Sequence, residues 1–138
     1  MRSTMMLLAI LVVMITLLIG CKSNTVDSEP LQPITLKQLY PGDIQNVDQI
    51  DIRSGSTGEL KSYTNQKMIH AWIDAVSELE LQPDPNQEGR TGFQYSVTLY
   101  EHKESKLSFL TNSIHGHYYL DNKAFTDLIK QLFESTPQ

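Results

Sequence analysis

Phe93-Gln94-Tyr95-Ser96-Val97-Thr98-Leu99 sets Phe93, Tyr95, Val97 and Leu99 against Gln94, Ser96 and Thr98 without a break. Successive side chains of an extended chain point to opposite faces, so a period of two predicts a strand with one face in a core and the other in water. One-sided burial is the habit of antiparallel sheets, and this stretch is expected to be central in one. The residues that follow fit that frame. His102 to Ser105 reads as a polar turn, Lys106 to Thr111 returns with Leu107 and Phe109 inward, and His115-Gly116 makes a tight turn into His117 to Leu120.

Upstream, Val47 to Arg53 carries Ile50 and Ile52 on one face and Asp51 and Arg53 on the other. Ser54-Gly55-Ser56-Thr57-Gly58 then suits a hairpin turn into a second strand, Glu59 to Tyr63. Asn65 is the expected N-cap of a helix from Gln66 to Leu81, in which Met68, Ile69, Trp72, Ile73, Val76 and Leu79 recur at three- and four-residue spacing, with Pro83 and Pro85 as its stop. A last helix, capped by Asp121 or Asn122, places Phe125, Leu128, Ile129, Leu132 and Phe133 on one stripe. The order β-β-α-β-β-β-α implies an α+β domain: an antiparallel sheet of about five strands with two helices on one face. Residues 34–138 are assigned to this single domain, with Ile34, Leu36 and Leu39 expected to pack loosely at its edge.

The first 20 residues have a different logic. Arg2 is followed by an apolar run from Met5 to Ile19, 15 residues long, whereas a spanning helix needs about 20. Leu18-Ile19-Gly20-Cys21 resembles the bacterial lipobox position by position. That resemblance implies acylation of the Cys21 thiol and cleavage between Gly20 and Cys21, where glycine lets a peptidase approach the backbone. Residues 1–20 are therefore expected to be a lipoprotein signal peptide. Residues 21–33 then form the lipidated cysteine and a tether whose composition cannot offset the entropy of ordering it. A doubly acylated residue stays in the bilayer where a single chain binds only reversibly.

The mature chain would carry 10 Lys+Arg (11 less Arg2) against 16 Asp+Glu, a net charge near −6 that argues against nucleic acid as a partner. Cys21 is the only cysteine, so the exported domain must fold without a disulfide.

Arg53 and Arg90 are the only arginines left after cleavage, each beside a loop rich in glycine and hydroxyls. Arg53, Ser54, Thr57, Arg90 and Thr91 are the candidate binding residues, because a guanidinium next to exposed turn N–H groups suits a carboxylate or phosphate. The alternative use of the same residues is structural: glycines for positive φ, and arginines paired with Asp51, Asp84 or Glu88. His102, His115 and His117 fall in turns and suggest a metal, but no cysteine and no carboxylate beyond Asp121 completes a ligand set. Ser113 near His115 and His117 is the only local nucleophile–base candidate. No catalytic residue and no cofactor is assigned, and an enzyme is not expected.

Three stretches together carry a likeness: Ile50 to Gly58, Asn86 to Tyr95, and Ile114-His115-Gly116-His117-Tyr118-Tyr119. They resemble a family of small Bacillus-type lipoproteins of uncharacterised function, over roughly residues 46 to 134. The resemblance implies a Gram-positive cell-surface location and supplies no activity, ligand or catalytic residue; this chain has His115 where that family favours asparagine. The reading that follows is a non-enzymatic binding or interaction module held in the lipid bilayer through acylated Cys21, on the extracytoplasmic face of the cell membrane. Its partner, protein or small ligand, is not named by any residue. The alternative is a small-ligand or metal sensor built on His102, His115 and His117.

Overall fold

A computed structural model describes residues 30–137, so the expected signal peptide, Cys21 and most of the expected tether lie outside the described residues. In chain order the elements are α1 (Leu36–Leu39), a 3-10 turn (Ile44–Asn46), β1 (Gln49–Ser54), β2 (Leu60–Tyr63) and α2 (Gln66–Val76). They continue with β3 (Tyr95–Glu101), β4 (Glu104–Leu110), β5 (Ser113–Ile114), β6 (His117–Tyr118) and α3 (Lys123–Glu134). The strands form one antiparallel sheet in the order β2-β1-β3-β4-β5-β6. The α+β class is as expected. Six strands rather than about five are present because two residues on each side of the His115-Gly116 turn pair, Ser113 with Tyr118 and Ile114 with His117.

The register turns the alternation into two unlike surfaces. Ile52, Val97, Phe109 and Ile114 stand opposite one another on successive strands, as do Ile50, Leu99 and Leu107, and all are buried. The two long helices cover this face. Ile69, Trp72, Ile73 and Val76 of α2 and Phe125, Ile129 and Leu132 of α3 are buried in the same cluster. Phe109 meets Phe125 with ring centroids 5.7 Å apart, and the Trp72 indole N–H donates to the Leu128 carbonyl at 3.0 Å, joining helix to helix. On the opposite face one row crosses all six strands: Leu60, Arg53, Ser96, Leu110, Ser113 and Tyr118.

Three sequence expectations shift. The α2 helix ends at Val76 with Ser77 as its C-cap, five residues before Leu81. Leu81 instead exchanges both backbone hydrogen bonds with Ile34 (3.1 and 2.8 Å), and the Ser77 carbonyl accepts from Lys37 N–H at 3.1 Å. The N-terminal segment is therefore packed firmly rather than loosely: Leu36 and Val47 are fully buried and Tyr40 and Ile44 nearly so. Finally, β3 begins at Tyr95, and Phe93 lies outside it with 37% of its surface exposed.

Both sheet edges are protected. On β2, Lys61 points inward, donates to the Phe133 carbonyl at 2.8 Å near the C-terminus of α3 and lies 4.8 Å from the Phe133 ring centroid. An inward charge on a four-residue strand discourages pairing with another chain. On β6, the Gln87 side-chain amide stands in for a further strand: its Nε2 donates to the Tyr118 carbonyl and its Oε1 accepts from Tyr118 N–H, both at 2.9 Å.

Close approach and turn geometry give two expectations for stability. A Cβ placed on Gly55 would stand 1.8 Å from the Phe93 carbonyl oxygen, whereas Gly89 faces open space. Gly55→Ala is expected to lose about 1–3 kcal/mol in urea unfolding, and Gly89→Ala to change stability by less than about 0.5 kcal/mol. In the β3–β4 turn both central residues, His102 (φ 52°) and Lys103 (φ 68°), have positive φ without a glycine or asparagine between them. Lys103→Gly should raise stability by about 0.5–1 kcal/mol in the same measurement.

Candidate functional site

The Arg53 loop is tied down by its own hydrogen bonds and by one to Gln94. The Gly55 N–H donates to the Gln94 carbonyl at 2.9 Å and the Gly58 N–H to the Ser54 carbonyl at 2.9 Å. The Thr57 N–H donates to Ser54 Oγ at 3.3 Å and the Glu59 N–H to Thr57 Oγ1 at 3.2 Å. The amides of Gly55, Thr57 and Gly58, which would cradle an anion, are thus already bonded within the protein. Ser54 is buried, and its hydroxyl lies 3.0 Å from that of Ser56. Arg53 itself is exposed on the polar face, donates from Nη1 to the Gly58 carbonyl at 3.0 Å, and lines a shallow depression of about 180 Å³ with Asp51, Leu60, Ser96, Thr98 and Tyr100.

Arg90 is built into a different place. Its guanidinium carbon lies 4.8 Å from the centroid of the Tyr118 ring, and its Nη2 donates to Asp84 Oδ2 at 2.7 Å and to the Asn86 carbonyl at 2.8 Å. Its backbone N–H donates to the Tyr118 hydroxyl at 2.9 Å. The Arg90 hydrogen bond, helped by the Asn86 N–H, holds the Asp84 carboxyl below the ordinary carboxylate range. Thr91 is exposed beside it.

The two loops touch at Gly55 and Gln94, but the two guanidiniums do not converge. Arg53 lies on β1 and Arg90 over β6, four strands away, or roughly 19 Å at the usual strand spacing. The pairing with Asp84 is the structural use that the sequence allowed for, and it leaves Arg90 as the wall of a cleft.

That cleft, of about 310 Å³, opens between the 84–94 segment, the β4–β5 turn and the connection from β6 to α3. Asp84, Arg90, Gln94, Thr111, Asn112 and Asp121 supply its polar lining, and Tyr119 and Leu120 its apolar lining. Thr111 and Asn112 are held by backbone bonds, the Thr111 N–H to the Tyr95 carbonyl (3.1 Å) and the Tyr119 N–H to the Asn112 carbonyl (2.9 Å). Sequence reasoning missed Gln94, Thr111 and Asn112 because polar residues in turns carry no periodic signal. Only the Asn112 position beside a strand end hints at them.

His102 stays apart from His115 and His117. His102 is 87% exposed at the β3–β4 turn, where its N–H donates to Asp48 Oδ2 at 2.7 Å. His115 and His117 border a mainly apolar groove of about 390 Å³ with Leu31, Ile34, Leu39 and Ile114. Among the described residues no three His, Cys, Asp or Glu side chains gather as a metal-ion ligand set. Ser113 and His117 occupy opposite faces of the sheet, since Ser113 stands beside Tyr118 and Ile114 beside His117.

The chain matches no family model, no curated protein and no solved structure.

The lowered Asp84 pKa gives a signed expectation. Its ion pair with Arg90 is intact at neutral pH and is lost as pH falls through the lowered value, beneath the ordinary 3.8. Arg90→Ala should move the Asp84 midpoint, read by NMR titration, up toward 3.8, with the Asn86 N–H retaining part of the depression.

Proposed function

We propose that this chain is a lipid-anchored protein on the extracytoplasmic face of a cell membrane, held by acylated Cys21, and that its domain is a non-enzymatic binding module. The observation that carries the anchor is Leu18-Ile19-Gly20-Cys21 at the end of an apolar run too short to span a bilayer. Among the described residues no helix is long and apolar enough to cross a membrane. The tether composition, the acidic balance and the likeness to small Bacillus-type lipoproteins favour the same location.

The binding role is supported by the Arg90 cleft. It is a concave, polar-lined site set on strand ends whose backbones are already hydrogen-bonded, the arrangement that positions groups for recognition at little ordering cost. Of the three histidines of the sensor alternative, His115 and His117 border one groove and His102 lies on a different turn.

Expression of wild type and Cys21→Ser in a Gram-positive host with labelled palmitate tests the anchor. The wild type should carry label in the membrane fraction, and Cys21→Ser should be unlabelled and either released or left as the longer precursor. A Cys21→Ser protein that is matured and stays membrane-bound would overturn the proposal.

A further inference from the structure

We infer that the cleft beside Arg90 takes a neutral, polyhydroxylated ligand, a saccharide unit, and not the carboxylate or phosphate that an arginine first suggests; the inference deepens the binding-module reading and rests on it.

Charge argues first. Arg90 Nη2 is occupied by Asp84 and the Asn86 carbonyl, and the guanidinium lies over Tyr118, so the Arg90–Asp84 pair cancels within the cleft wall. Asp121 then leaves the lining with a net negative charge. An anion entering it meets repulsion rather than a free cation.

The unused groups argue second. The side chains of Gln94, Thr111 and Asn112 make no hydrogen bond to other described residues, although all three line the cleft. Each amide offers an acceptor and two donors, and the threonine hydroxyl both donates and accepts. Sugar hydroxyls have that same dual character, so neighbouring hydroxyls can engage neighbouring amides without stranding a buried charge. Leu120, 48% exposed, and Tyr119 give the cleft an apolar wall for the C–H face of a ring. Its volume of about 310 Å³ is at the small end of ligand pockets, suited to one or two sugar rings.

The side-chain amide NMR signals of Gln94 and Asn112 in the full-length mature protein, held in detergent micelles, read the site directly. The probes are glucose, galactose, N-acetylglucosamine and their β-linked disaccharides, with sodium phosphate and sodium acetate titrated separately. At least one saccharide should shift both amides saturably, with a Kd in the millimolar range or tighter, and neither anion should. Asn112→Ala and Gln94→Ala should each weaken that binding by about tenfold, the loss of one good hydrogen bond, with an unchanged thermal midpoint. Tighter binding of a disaccharide than of its monosaccharide would identify a chain end rather than a free sugar as the ligand. Saturable shifts with phosphate or acetate would keep the binding module but overturn this inference, and no shift with any saccharide would overturn it as well. Retention of the same protein in the membrane fraction tests the anchor independently, so the two readings fail separately.

Discussion

The inner row of Ile52, Val97, Phe109 and Ile114, repeated one step along by Ile50, Leu99 and Leu107, is the constraint on which the other parts depend. Each of these side chains contributes about 1.5–3 kcal/mol by leaving water, against the entropy of ordering the chain. That burial is available only if two amphipathic helices lie on the same face. Trp72 and Phe125 are where the helices and sheet meet, one through the indole bond to the Leu128 carbonyl and the other through the Phe109 ring. A shift of one residue in the register of β3 would turn Val97 and Leu99 outward and Ser96 and Thr98 inward, so the pattern allows one pairing.

The one-sidedness leaves the opposite face and the strand ends free for other uses. Turns there are shaped by hydrogen bonds rather than by packing. In the Ser54–Gly58 turn the Thr57 and Gly58 amides bond back to Ser54 and the Gly55 amide to Gln94, and the Gln87 amide closes the β6 edge by imitating a strand. The cleft beside Arg90 is formed because this edge-covering segment, the β4–β5 turn and the connection from β6 to α3 come together at one end of the sheet.

Much of the fold was legible. The alternation from Tyr95 to Leu99 and the helical stripes of Trp72 and Phe125 are local patterns whose period states which face is buried. The end of α2 was not legible, because the backbone of Leu81 pairs with Ile34, over forty residues away, instead of continuing the helix. The firm burial of Leu36 was hidden for the same reason. Of the candidate site, Arg90 and its partner Asp84 were visible as types. Their distance from Arg53 was not, since it depends on the number of strands between β1 and β6.

By itself the sequence determined the α+β class and the buried faces, because each is written in neighbouring residues and their period. Tertiary structure alone decided that Arg53 and Arg90 part company, that Arg90 is neutralised by Asp84, and that Gln94, Thr111 and Asn112 share a cleft with it. Those outcomes rest on contacts between segments far apart in the chain, and a polar residue in a turn carries no periodicity that would announce its neighbours.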